Sequence, residues 1–393
     1  MKSVELFAGA GGLALGLSLA GFRHEAVVEY NDEACRTIEA NKRAKVVAAA
    51  DWPLHCCDVR NFSYAKLSKP IDLLAGGVPC QPFSIAGKHL GHEDGRNMFP
   101  EMVRAVRELR PKAVLVENVR GLKRRSFMKY FGYLELMLTY PEIVLRNGEA
   151  WVDHCSRLER YHTKGKPEGL HYQIVHRVIN AADFGIPQKR ERVFIVGIRS
   201  DLGVEFSFPE ATHSDEALLW EQFCSDRYWD RHKIQKSKRP QPSSALNGRL
   251  QKLSDSLLVQ CLKPWNTVRD ALSDLPEPAP TRRSEEPGLT HFAIPGARSY
   301  VGHTGSVWDE PSKTLKAGDH GVPGGENMLA EGKGKVRYFT IRESARLQTF
   351  PDSYTFPGSW TESMRQIGNA VPIELARIVA TKIHSTLGQR NVQ

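Results

Sequence analysis

The chain has 393 residues, 41% of them hydrophobic and 25% charged. That is enough for a sizeable core and two or three domains, and it excludes a mostly disordered chain. The net charge of +9 points to a polyanionic partner such as nucleic acid. Seven cysteines without a CxxC pair exclude a disulfide framework and zinc knuckles. With no apolar leader core and no run of 18 apolar residues, a cytoplasmic protein without a membrane span is expected.

In chain order, residues 4–7 read as a strand, and a Gly-rich turn then opens a helix over 13–20. Residues 26–29 form a second strand, followed by a polar helix from 32 to about 42. Residues 71–75 and 113–117 are apolar runs of strand length, and Met102, Val103, Val106 and Leu109 mark a helix face between them. Strand and helix alternating in this way predict an α/β fold with a parallel, doubly wound sheet, whose sites lie at the carboxyl ends of the strands. Residues 123–170 lack clear periodicity and read as an insertion or peripheral helical excursion. Strands return at 172–179 and 193–198. Beyond about 200 the composition turns to Pro, Ser, Gly, Lys and Arg without a strand–helix rhythm, so a smaller, irregular domain is expected over 201–359. A final helix over 373–387, within a segment 360–393, is expected to complete the first domain of 1–200.

The turn Phe7-Ala8-Gly9-Ala10-Gly11-Gly12 joins a strand to a helix, and its glycines let the backbone approach a ligand. Glu29 ends the next strand, 20 residues beyond Gly9, where an acid takes the hydroxyls of a ribose. These features fit NAD and S-adenosylmethionine equally. Asp58 is a candidate acceptor for an adenine amino group. Pro79-Cys80-Gln81-Pro82 follows the strand at 71–75, so Cys80 sits on a constrained loop. Glu117-Asn118-Val119 ends another strand of the same sheet. A thiolate and a carboxyl meeting at one sheet edge suit nucleophilic catalysis with acid assistance. Gln188, Arg190 and Arg192 alternate along an extended segment and are expected to share a face that meets an anion or a carbonyl.

Taken together and in this order, these motifs resemble the cytosine-5 DNA methyltransferase family of bacterial restriction-modification systems. The resemblance continues through Arg342-Glu343-Ser344-Ala345-Arg346-Leu347-Gln348 and Phe350-Pro351-Asp352 to Gly368-Asn369-Ala370-Val371-Pro372. It covers roughly 1–122, 170–200 and 335–385, and leaves about 200–300 for a target-recognition region. It implies a Rossmann-like domain that binds S-adenosylmethionine, releases S-adenosylhomocysteine and needs no metal. It also implies that Cys80 attacks C6 of a cytosine so that C5 takes the methyl group, with Glu117 at N3 and Arg192, beside Arg190, at the O2 edge. Cofactor contacts are then carried over to Phe7, Ala8, Gly9, Ala10, Gly11, Gly12, Glu29, Tyr30, Asp58, Val59, Pro79, Asn369 and Ala370. In that reading Phe7 and Gly11 line the methionine end, and Asn369 and Ala370 close the pocket. The segment 84–99 resembles the family's mobile loop, which closes over a base flipped out of the duplex.

For DNA, the resemblance nominates Gln81, Ser84 and Gln188. Residues 227–253 add eight cations against one acid, Asp230; Arg227, Arg231, Lys233, Lys236, Lys238 and Arg239 lead this set, interleaved with Tyr228, Trp229 and His232. The expected partner is double-stranded DNA, bound by a monomer that works independently of any companion restriction endonuclease. Two alternatives share the fold: a tRNA cytosine-5 methyltransferase, whose usual Cys-Phe-Thr signature is absent here, and a silent DNA-binding paralogue, which should have lost Cys80 or Glu117. A nicotinamide oxidoreductase would leave Pro79-Cys80-Gln81 and the stretch 188–192 unexplained, and an amino-methylating DNA enzyme would need an Asp/Asn-Pro-Pro-Tyr/Phe motif, which is absent.

Overall fold

The structure is a computed structural model that describes residues 1–46, 48–79, 97–165, 168–254, 261–280, 290–301, 304–317, 327–332 and 334–389. The chain divides into two compact units. Unit one comprises Met1–Ile179, Glu191–Pro209 and Ser353–Gln393, and unit two comprises Asn180–Arg190 and Glu210–Asp352.

Unit one opens with strand β1 (Lys2–Leu6), helix α1 (Gly12–Leu19), β2 (Arg23–Glu29), α2 (Asp32–Arg43) and β3 (Leu54–Cys56). It continues with β4 (Leu73–Gly77), α3 (Phe99–Leu109), β5 (Ala113–Val119), α4 (Met128–Thr139) and α5 (Trp151–Thr163). Strands β6 (Tyr172–Asn180) and β7 (Glu191–Arg199) complete a seven-stranded sheet of order β3-β2-β1-β4-β5-β7-β6. The pairs among β1 to β5 are parallel, as expected for strands linked by crossover helices. Strand β7 runs antiparallel to β5. This departs from an all-parallel sheet, and it brings the first residues of β7, not its last, to the edge where β4 and β5 end.

Because side chains alternate across a strand, Val4, Leu6, Val28, Leu74, Val114, Val116, Val193 and Ile195 line one face of the sheet. Buried residues of α3, α4 and α5 join that same core, including Met102, Val106, Phe131, Leu134, Met137 and Leu158. The stretch 123–170 is therefore a wall of the main core and not a peripheral excursion. Its periodicity is masked because α4, Met-Lys-Tyr-Phe-Gly-Tyr-Leu-Glu-Leu-Met-Leu-Thr, is apolar around most of its circumference.

On the opposite face, the buried His24 of β2 donates from Nε2 to the Ala14 carbonyl in α1 (3.1 Å) and accepts from Ser3 Oγ (3.1 Å). Burial pulls the imidazole down to about 4, with the Ala14 contact opposing. The folded protein therefore refuses a proton that the unfolded chain accepts near pH 6.5. Stability due to this group is complete above that pH and falls as the pH drops toward 4, by up to about 3 kcal/mol. Differential scanning calorimetry should record a steady fall in Tm from pH 7 to pH 5, and a flat profile there would contradict the assignment.

Two further helices, α11 (Trp360–Asn369) and α12 (Ile373–Gly388), return to unit one after the whole of unit two. Helix α12 lies against α1 at Gly16, where a Cβ would stand 2.4 Å from the Ala376 Cβ and 2.8 Å from the Ile373 carbonyl oxygen. Backbone cannot yield as a side-chain tip can, so Gly16→Ala is expected to cost about 1–3 kcal/mol, read as a lower midpoint in urea. Segment 353–359 also belongs here, not to the smaller domain. Tyr354 donates to the Ala10 carbonyl (2.8 Å), and the Thr355 amide donates to Asn41 Oδ1 (2.9 Å).

Unit two contains short elements: β8 (His213–Ser214), α6 (Asp215–Phe223), α7 (Arg227–Arg231), α8 (Asn247–Ser254), β9 (Lys263–Pro264), α9 (Val268–Leu272), β10 (Met328–Gly332), β11 (Lys335–Tyr338) and α10 (Ile341–Leu347). Segment 180–190, expected in the first domain, belongs to unit two because its side chains and backbone bond there. The Lys189 amide donates to the Ser312 carbonyl (2.8 Å), and Lys189 Nζ reaches Glu310 (2.9 Å).

Candidate active site

The functional groups of unit one gather at the carboxyl ends of its parallel strands, where a cavity of about 640 Å³ opens. The turn after β1 forms one wall, with Phe7, Ala8, Gly9 and Ala10 lining the cavity. Phe7 holds a φ of 58°, Gly9 one of 55° and Gly11 one of 78°. A left-handed aromatic residue carries strain of about 1–3 kcal/mol, and it sits at the cavity wall. Gly11 and Gly12 themselves do not line the cavity. They shape the turn: a Cβ at Gly11 would come within 2.7 Å of the Trp52 ring, and one at Gly12 within 2.7 Å of the Val371 carbonyl oxygen.

Glu29, at the end of β2, lies in the same cavity and is 9% exposed. Its two carboxylate oxygens accept from the amides of Gly9 (2.7 Å) and Asn31 (2.6 Å). The acid is thus locked in orientation, and it ties the glycine turn to β2. Tyr30 beside it is 73% exposed at the cavity rim, an aromatic face free for stacking. Asp58 and Val59 line the next wall, with Pro79, Asn369 and Ala370. Asp58 accepts from the Arg60 amide (2.9 Å) and pairs with the Arg60 guanidinium, which holds its carboxyl below the usual range.

The second set of groups meets these across the cavity. In the sheet register Gly77 of β4 stands beside Glu117 of β5, and Val119 stands opposite Arg192 of β7. Glu117 is 7% exposed and lies 3.0 Å from Arg192 Nε. Burial lowers the Arg192 guanidinium below its ordinary value, and Glu117 pulls it back up. Asn118 Nδ2 donates to the Val78 carbonyl (3.1 Å), which fixes the backbone immediately before Pro79. Cys80, Gln81, Ser84 and most of 84–99 lie outside the described residues, so the geometry stops at Pro79, one residue before the candidate nucleophile.

Three expectations are corrected. Arg192 lines the cavity of unit one and Arg190 does not; Arg190 falls in unit two, ahead of β7, which begins at Glu191. There it is fully buried, donating to the Leu315 carbonyl (2.9 Å). Gln188 is also fully buried, donating to the Leu347 carbonyl (3.2 Å) and accepting from the Leu315 amide (3.1 Å). Both ends of this buried amide are engaged within unit two, so the side chain is not on the exposed face expected for it. Finally, Tyr228 and Trp229 are core residues, 0% and 1% exposed, packed with Leu218.

The basic stretch they interrupt is largely neutralised within unit two. Arg231 pairs with Glu221 (2.8 Å), Arg239 with Asp230 (2.7 Å) and Asp226 (3.0 Å), and Arg249 with Asp215 (2.9 Å). Arg227 lies over the Trp220 ring, 5.2 Å from its centroid. Lys233, Lys236 and Lys238 remain exposed, with no ion pair among the described residues.

Sequence reasoning missed several cavity residues: Asn31, Arg60, Asn118, Arg365 and Gln366. Asn31 carried a usable signal, since it caps α2 ahead of Asp32 and Glu33. Arg365 of α11 donates to Asn31 Oδ1 (3.3 Å) from more than three hundred positions away, and nothing local announces it. Among the described residues, no group of three His, Cys, Asp or Glu side chains converges to hold a metal, and no helix is long and apolar enough to cross a membrane.

The model of the C-5 cytosine-specific DNA methylase family matches residues 1–135 and 143–385. Type II methyltransferase M.PspPI of Psychrobacter sp. (strain TA137) is 32% identical over 97% of this chain and 78% of its own length. Type II methyltransferase M.NgoMIV of Neisseria gonorrhoeae is 32% identical over 99% of both chains. In fold, the chain is similar to S. pombe Dnmt2 methyltransferase, with a TM-score of 0.54 at 16% identity over 100% of this chain and 99% of the other. The chain belongs to the C-5 cytosine-specific DNA methylase family and is a DNA (cytosine-5)-methyltransferase, with S-adenosylmethionine the methyl donor that this membership implies.

Proposed function

We propose that this protein methylates C5 of a cytosine flipped out of a short, specific duplex site, through a covalent bond between Cys80 and C6. One observation carries the reading. A single cavity is lined by a cofactor wall of Phe7–Ala10, Glu29 and Tyr30 and by a chemical wall of Pro79, Glu117 and Arg192. Donor and acceptor of the methyl group therefore need only one chamber.

The chamber fits the cofactor's chemistry. Glu29, fixed by two amides, suits a ribose diol, and Tyr30 offers its ring to the adenine. Asp58 accepts the adenine amino group next to Val59, and Asn369 and Ala370 close the methionine end. When bound there, S-adenosylmethionine supplies an electrophilic methyl group. In the reaction the Cys80 thiolate forms a bond to C6, and electron density moves through the ring to N3. Glu117 delivers a proton or a strong hydrogen bond there, while Arg192 keeps Glu117 oriented and faces the O2 edge. As C5 takes the methyl group the bonding pair stays on sulfur, leaving S-adenosylhomocysteine. C5 then gives its proton to water, and the C5–H pair restores the C5–C6 double bond. Cys80 departs as thiolate with the pair of its bond to C6, and N3 returns its proton to Glu117. The attack comes from above the ring plane, which a stacked base does not permit, so flipping is required.

Unit two then acts as the target-recognition region, with Lys233, Lys236 and Lys238 toward phosphate. The enzyme acts as a monomer, and its methylation protects the site from a separate endonuclease.

Glu29→Gln keeps the shape of the side chain and removes the charge. S-adenosylhomocysteine affinity should fall about ten- to a hundredfold by isothermal calorimetry, since hydrogen bonds to charged groups are worth about 1.5–3 kcal/mol. The function itself is tested by bisulfite sequencing of plasmid DNA from cells that make the protein. One short motif converted to 5-methylcytosine is the expected result. Background methylation with folded protein present, or methyl transfer to tRNA in place of DNA, overturns it.

A further inference from the structure

We propose that the turn leaving β5 is a phosphate-gripping surface that holds the DNA backbone beside the reacting cytosine; this rests on the DNA methyltransferase reading above. Between Glu117 and Glu135 the chain carries five cations, Arg120, Lys123, Arg124, Arg125 and Lys129, and no acid. All five follow directly from the strand that bears Glu117. Two short 3-10 turns, Arg120–Lys123 and Arg125–Phe127, lead into α4.

The turn is pinned in place. Arg120 pairs with Glu191, the first residue of β7. Lys123 Nζ donates to His176 Nε2 (2.6 Å), and His176 Nδ1 donates onward to Glu135 (2.5 Å). Lys123 also lies 5.5 Å from the centroid of the Phe131 ring. These ties consume Arg120 and Lys123 and leave the others. Arg125 and Lys129 are exposed and Arg124 is half-buried, and no acid among the described residues pairs with any of the three. Lys129 is steadied over the Trp151 ring at 6.0 Å.

This contrasts with the second unit, where Arg231, Arg239 and Arg249 are matched by carboxylates. Cations clustered on a fixed turn repel one another until an anion arrives. The reach also fits. A 3-10 turn rises about 2.0 Å per residue and a strand about 3.3 Å, so the Arg124 backbone lies within about 17 Å of Glu117. Duplex DNA carries one phosphate per about 1.7 Å of axis, so the phosphates flanking a cytosine held at Glu117 fall inside that span. Contacts of this kind supply affinity and position without reading bases.

The test compares Arg124→Ser/Arg125→Ser, Arg124→Lys/Arg125→Lys and Lys129→Ser with wild type. Duplex binding is followed by fluorescence anisotropy across a salt series, on methylatable and unrelated sequences. The double Ser variant should lower the slope of log affinity against log salt by about 1.8, and Lys129→Ser by about 0.9, equally on both duplexes. The double Lys variant should keep the wild-type slope. Retained S-adenosylhomocysteine binding shows that each variant is folded. A wild-type slope in both Ser variants, from an enzyme that still methylates DNA, overturns this surface and leaves the function standing. A wild-type protein that transfers no methyl group to DNA overturns both.

Discussion

Cys80→Ala is expected to abolish methyl transfer to DNA, by at least about 10⁴-fold, while S-adenosylhomocysteine still binds. The expectation rests on where the described chain delivers the next residue. Strand β4 ends at Gly77, Asn118 grips the Val78 carbonyl, and Pro79 lines the cavity that holds Glu117. Cys80 follows Pro79 directly, and the ring of Pro79 locks that residue's own φ. Without the thiol, C5 is not activated, and an electrophilic methyl group in the same chamber has no partner. Tritiated methyl incorporation measures the loss. A duplex carrying 5-fluorocytosine adds a direct readout, because fluorine cannot leave C5 as a cation. Wild type should form a complex that survives denaturing electrophoresis and Cys80→Ala should not. Methylation by the Cys80→Ala protein would end the covalent mechanism.

Glu117→Gln is expected to lower kcat by about 10²–10³, with S-adenosylhomocysteine affinity retained. Glutamine fills the same volume and can still hydrogen-bond to N3, but it cannot deliver a proton there, so some activity survives. The same change has a structural price. Glu117 and Arg192 are 9% and 13% exposed at their side chains, and their pair is 3.0 Å apart. Removing one charge leaves the other nearly dry, which costs about 3–5 kcal/mol where burial is complete. A lowered Tm together with a lowered kcat is the expected signature. Full activity in single-turnover assays would remove Glu117 from the chemistry.

The cofactor side was legible in the sequence because its information is local. A glycine turn after an apolar run, then an acid ending the next strand, states both conformation and position within thirty residues, and Glu29 does meet the Gly9 amide. The placement of Glu117 beside Gly77 at the end of β4 was legible for a related reason, since adjacent parallel strands align their ends. What stayed hidden depends on partners distant in sequence. Gln188 and Arg190 read as a charged stripe, yet their fate is decided by Leu315 and Leu347. Tyr228 and Trp229 are interleaved with cations in the sequence, yet both are buried in a cluster with Leu218. The direction of β7 was unreadable, because 193–198 is equally apolar whichever way it runs. The excess charge of 227–253 likewise shrank once Glu221, Asp226 and Asp215 came within reach of it.

The discontinuity of unit one sets a timetable for its birth. Asn369, Ala370 and Arg365, which line the cavity, and α12, which seats α1 at Gly16, are translated only after the whole of Glu210–Asp352. Until then the sheet of unit one emerges from the ribosome without the helix that packs on α1 and with its cavity missing a wall. If that cavity is the methyl-donor site, a chain cut short before Ser353 is expected to bind no S-adenosylhomocysteine, because Arg365, Asn369 and Ala370 are missing from its lining.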